Sequence, residues 1–83
     1  MAGTLINGHA TIGAVRDLGV IADGQRLCEL DLSIRPDGQA AYPLTQRLMI
    51  PSAQAGRVVV GASLPVHIQA TNPSLVAVDW NGS

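Results

Sequence analysis

Residues 27–50, LCELDLSIRPDGQAAYPLTQRLMI, constrain the fold of this chain more than any other stretch. In the first run Cys28, Leu30, Leu32 and Ile34 alternate with Glu29, Asp31, Ser33 and Arg35. A strict period of two sorts residues that way only on a strand with one buried side. The second run puts Tyr42, Leu44, Leu48 and Ile50 on one face, with Thr45 and Arg47 opposite. Gln46 interrupts that apolar face and points to a bend or an opening in the core. Between the runs lie Pro36, Asp37 and Gly38: proline presets φ for a turn, and glycine accepts the positive φ a tight connection needs. The stretch predicts a β-hairpin.

The flanking sequence reads in the same style. HATIGAVRD predicts a first strand with Ala10, Ile12 and Ala14 on one face, and Gly13 within it marks a bulge or a close approach of another strand. Asp23-Gly24 supplies a second tight turn, so the first two long strands also form a hairpin. GASLPVHIQA alternates Leu64, Val66 and Ile68 against Pro65, His67 and Gln69. Pro65 cannot donate to a ladder and is expected at a sheet edge or a bulge. TNPS is a turn, and LVAVDW closes the chain as a strand ending at Trp80. Between Ile50 and Gly61, Pro51 and Ser52 open either one helical turn ended by Gly56 or an irregular connection. The expected fold is all-β: a small five-stranded barrel or curled antiparallel sheet over residues 1–83, one domain, with the strand order of an OB-type barrel and an SH3-like barrel as the alternative.

Composition narrows the chemistry. The chain has 83 residues, 47% of them hydrophobic and 13% charged, which is apolar for so small a domain. Cys28 is the only cysteine, so no disulfide staples it, and with His9 and His67 it falls short of the four ligands of a structural zinc site. No cofactor is expected. A small unstapled apolar chain gains its missing burial from a partner or a second copy. The net charge is −1; all five basic residues are arginine, and no local run of them occurs. That argues against a polybasic membrane patch and against a nonspecific nucleic-acid grip. MAGTLINGHATIG lacks the features of a secretion leader, and no run approaches the ~20 apolar residues that cross a bilayer. With a lone cysteine, the expected compartment is the cytoplasm.

With the strands placed, ATIGAVRDLGVIADGQRLCELDLSIRPDGQAAYPLTQRLMIP and GASLPVHIQATNPSLVAVDW together resemble a small β-rich module of unknown function recurrent in actinobacterial proteins. The pieces that carry the resemblance are Val15 to Gly19, Pro36-Asp37-Gly38, Pro51, Gly61 to Val66, and Asn72 to Trp80. The closing turn reads ATNPS where that module has an acidic residue, and no membrane helix accompanies it. The resemblance implies a fold and an adapter role, and it transfers no catalytic residue. The absence of lysine fits a GC-rich genome of that origin.

No constellation of residues points to catalysis. His9 and His67 have no carboxylate or thiol beside them in sequence, although Asp79 or Glu29 can be brought near by folding. His67 falls on the polar face of its strand, as a surface histidine does. Cys28 sits on an apolar face, where a thiol is filler and not a nucleophile. Glu29 and Asp31 project from one strand face roughly 7 Å apart; Arg47 and Arg16 are their candidate partners across the sheet. No phosphate-cradling glycine pattern occurs. Only Tyr42 and Trp80 are aromatic, too few for a stacking platform. Trp80 either seals the barrel or anchors a partner.

The sequence therefore predicts a non-catalytic interaction or self-assembly module, an accessory subunit of a larger complex being one form of it. Met49, Val58, Val59, Val60 and Trp80 are the expected contact surface, with RVVVG as an exposed stripe or an edge strand. The alternative is a small-ligand or nucleic-acid-binding barrel with its mouth at Tyr42, Gln46 and Arg47.

Overall fold

The computed structural model describes residues 4–80. Three strands follow one another, β1 (Leu5–Ala22), β2 (Gln25–Pro36) and β3 (Tyr42–Pro51). A 3₁₀ turn over Ser52–Arg57 then leads to β4 (Ser63–Gln69) and β5 (Asn72–Val78). All pairings are antiparallel, and the sheet runs β3-β2-β1-β4-β5. This is the OB-type order, with the helical turn in the β3–β4 connection.

The turn chemistry is what the sequence asks for. Asp23 and Gly24 both take positive φ, 53° and 72°, which makes the β1–β2 connection a two-residue hairpin of the I′ kind. In the β2–β3 turn, Gln39 N–H donates to the Pro36 carbonyl at 3.2 Å. Inside the sheet, the alternating residues of β2 (Cys28, Leu30, Leu32, Ile34) pack with Ala10, Ile12, Leu64, Val66, Ile68 and Val76 into one core. Each large side chain so buried contributes roughly 1.5–3 kcal/mol.

The sheet curls until its two edge strands approach, and side chains bridge them. Tyr42 Oη on β3 donates to the Pro73 carbonyl on β5 at 2.7 Å, and Gln46 Nε2 donates to the Val76 carbonyl at 3.0 Å. Arg57 Nη1, from the 3₁₀ turn, donates to the Trp80 carbonyl at 2.9 Å.

Three local expectations are corrected. The alternation of β1 does not run through Ala14, because a bulge at Gly13 shifts the register between Ile12 and Ala14 and sets Val15 opposite Leu30. Pro65 is not on an edge strand, since β4 lies between β1 and β5. Its carbonyl accepts from Asp79 N–H at 2.9 Å. Pro65 therefore faces β5 beyond the Val66–Val78 pair, and its missing N–H breaks no ladder. RVVVG forms no strand: Arg57 ends the 3₁₀ turn and Val58–Gly61 is connecting loop.

β1 is the longest strand and outruns its neighbour. Its pairing with β4 ends at Thr11–Ser63, extended by backbone bonds between Ile12 and residues Gly61 and Ala62. From Gly13 to Ala22, a length of roughly 33 Å, β1 keeps β2 on one side and has no strand on the other among the described residues. A second irregularity lies in this arm. Asp17 opposes Cys28 and Ile21 opposes Arg26, so Leu18, Gly19 and Val20 bulge outward.

Candidate functional site

The open arm of β1 forms one wall of a cleft of about 410 Å³. Val15 and Ile21 come from β1, Cys28 from β2, Ile50 from the end of β3, and Ala55 and Val58 from the 3₁₀ turn and the residue after it. Asp17, Gln25, Arg26 and Ser52 complete a lining that is otherwise apolar apart from Gly24. At the rim, Arg26 Nη1 donates to Asp17 Oδ2. Asp17 also accepts from Gly19 N–H at 2.8 Å. These two contacts, the Gly19 bond first, hold the Asp17 carboxyl below the usual range. Cys28 is 5% exposed, and burial pushes its thiol pKa up. That makes Cys28 a poor nucleophile, as its place on the apolar face implied.

The arm also exposes apolar side chains, Leu18 and Val20 outside the cleft and Val15 and Ile21 along it. Val20 is 47% and Ile21 66% exposed, with Val15 and Leu18 at 36% and 37%. An edge strand that is both unpaired and apolar is a template for pairing with another chain.

The residues expected at a contact surface are divided by the fold. Val59 and Val60 are exposed, 52% and 67%, on the loop beside Ile12, where the β1 arm begins. Met49 is exposed on β3, opposite Leu27 of β2. Val58 is in the core, since the end of the 3₁₀ turn folds it inward, and it belongs to no surface patch. Trp80 packs partly buried against the core. The arm residues Leu18, Val20 and Ile21 escaped the sequence reading. Their one signal, apolar residues after the period-two pattern fails at Gly13, looks the same as a buried run.

The expected ligand mouth is not assembled. Tyr42 and Gln46 bridge β3 to β5, while Arg47 lies on the outer face against Glu29 at 3.3 Å. There Arg16 Nε meets Glu29 Oε1 at 2.9 Å, and its two terminal nitrogens grip Asp31 at 3.1 and 2.7 Å. Thr45 Oγ1 adds a bond to Asp31 at 3.0 Å. Arg16, with help from Arg47 on Glu29 and from Thr45 on Asp31, holds both carboxyls below the usual range. The pair is thus structural, with the arginine partners read from the sequence.

His67 is braced. Its ring nitrogens lie 3.0 Å from Asn7 Oδ1 and 3.1 Å from Asp79 Oδ2, tying β4 to β1 and to the chain after β5. His9 stands apart on the outer face, beside Arg35 of β2. Among the described residues no group of His, Cys, Asp and Glu is arranged to hold a metal ion, and no helix is long and apolar enough to cross a membrane. Comparison with protein-family models, curated proteins and solved structures finds no match for this chain.

Proposed function

We propose that this chain is a non-catalytic self-assembly module that pairs with a second copy of itself along the open arm of β1. The observation that carries this reading is the unpaired, apolar edge from Gly13 to Ala22. An antiparallel strand pair of identical sequence is related by a two-fold axis, so one edge satisfies both copies at once. Pairing there supplies partners for the exposed backbone and covers Val15, Val20 and Ile21. Val59 and Val60, next to the start of the arm, extend the same apolar surface.

Charge supports contact with protein over contact with nucleic acid. Arg16, Arg26 and Arg47 all sit against carboxylates, which offsets the positive charge a phosphate backbone needs.

The test is molar mass by light scattering after size exclusion, over a wide range of protein concentration. The reading expects a dimer that dissociates on dilution, and a monomeric but folded Ile21→Asp variant. Ile21 is exposed, so the fold tolerates the change while the interface does not. A wild-type monomer at every concentration sinks the reading. Dissociation by Val59→Asp with Ile21→Asp still dimeric moves the interface from the arm to the loop.

A second reading has one specific observation behind it. The cleft is large enough for a small molecule, within the 300–1,000 Å³ such sites occupy, and its apolar walls carry a few polar groups at the rim. A monomer that takes up an apolar fluorescent probe at one saturable site favours that reading.

A further inference from the structure

At the other end of β1, on the outer face of the sheet, lies a depression of about 360 Å³ lined by His9, Thr11, Ser33, Arg35 and Ser63. The register builds it: His9 stands opposite Arg35 and Thr11 opposite Ser33 on β2, while on β4 Thr11 stands opposite Ser63. Opposed side chains start 4.5–5.5 Å apart, and residues two along a strand are separated by about 7 Å. Three hydroxyls, an imidazole and a guanidinium therefore line one patch, about 10 Å across the three strands and about 7 Å along them.

The chemistry of this set is one-sided. Every lining side chain carries a hydrogen-bond donor, the His9 imidazole in either charge state. Among the described residues no carboxylate lines the depression. Arg35 differs from the other four arginines. Arg16, Arg26 and Arg47 pair with carboxylates, and Arg57 binds Gln54 and the Trp80 carbonyl. Among the described residues the Arg35 side chain has no ion pair and no hydrogen bond, and it lines a pocket of donors. An uncommitted guanidinium fork flanked by hydroxyls fits a tetrahedral oxyanion, which accepts the fork on two oxygens and the hydroxyls on the others.

We infer that the depression between β1, β2 and β4 is an anion site that binds a phosphate group, inorganic or as the monoester of a small molecule. It lies on the paired part of β1 and shares no residue with the open arm or the cleft, so it stands whether or not the chain self-associates.

The experiment is a titration of the ¹⁵N-labelled protein with inorganic phosphate, and in parallel with glycerol 3-phosphate, at constant ionic strength set by sodium chloride. The expected result is saturable shifts confined to the amides around His9, Thr11, Ser33, Arg35 and Ser63 and to the Arg35 side-chain N–H. Arg35→Ala weakens binding at least tenfold, Thr11→Val weakens it less, and Arg35→Lys restores part of the loss; each variant's spectrum shows that the fold is retained. Tighter binding of the monoester assigns a phosphorylated small molecule, and equal binding assigns free phosphate; both support the site. Shifts that do not saturate, that chloride reproduces, or that survive Arg35→Ala overturn it. So does binding of a single-stranded oligonucleotide with no binding of either small phosphate.

Discussion

Gly8 shows how much a single missing atom governs here. It pairs with Pro36 on one side and Val66 on the other. A Cβ built there lies 2.6 Å from the Arg35 carbonyl oxygen and 3.0 Å from both Pro36 Cα and Ile68 Cδ1. Two of these neighbours are backbone and cannot swing away, so alanine forces β1 and β2 apart. Overpacking of this kind costs about 1–3 kcal/mol. Gly8→Ala is expected to lower the urea midpoint with an unchanged m-value, and a midpoint equal to wild type contradicts the packing account. Nothing in the sequence near Gly8 marks it, because the close approach comes from Arg35 and Pro36, far along the chain. Gly13 drew attention from the sequence and proves to be a bulge with room beside it, its nearest neighbour being the Asp31 carbonyl at 3.6 Å.

Among the elements, the strands were legible in proportion to how one-sided they are. β2 buries one face and wets the other, so its period of two is clean from Cys28 to Arg35. β4 behaves alike at Leu64, Val66 and Ile68. β1 was legible as a strand to Asp17 and as one arm of the Asp23-Gly24 hairpin, but two irregularities reset its alternation after Gly13, so the face each later residue takes was not legible. The open edge of that arm is no property of a local run. It is the difference in length between β1 and β4, which exists only once they pair. For the same reason RVVVG looked like one stripe, while the fold sends Val58 inward and Val59 and Val60 outward. The β3–β5 seam was half legible: Gln46 announced an opening, and the structure puts its amide to use there as a bridge. Across that seam Tyr42→Phe removes the bond to Pro73 and leaves the ring in place. The expected loss is about 1 kcal/mol, and it should be local. Amide exchange should quicken in β5 and stay unchanged in the β1–β2 ladder. A uniform change across all strands means the seam is not a separate unit of stability.

Across the whole molecule, charge ties three strands into one surface. Arg16 of β1, Glu29 and Asp31 of β2, and Arg47 and Thr45 of β3 form a continuous row, and Asp17 with Arg26 adds a second pair at the cleft. Glu29, Asp31 and Asp17 each hold a proton less readily in the folded protein than in the unfolded chain. Their contribution is therefore complete above the unfolded carboxylate range of about 4, and it is lost as pH falls through the lower folded values. All three groups are well solvated, so salt weakens the effect by screening. Stability followed by urea midpoint should decline on acidification below about pH 4, less steeply in 1 M sodium chloride. Arg16→Gln removes the leading cause of the shift on both Glu29 and Asp31 while leaving Asp17 with Gly19 and Arg26. Its acid limb should be shallower than that of wild type but still present. If the two limbs superimpose, the row across β1, β2 and β3 is not what couples this fold to pH. If the variant shows no acid limb at all, the Asp17 pair at the cleft contributes nothing to that coupling, and the outer face alone carries it.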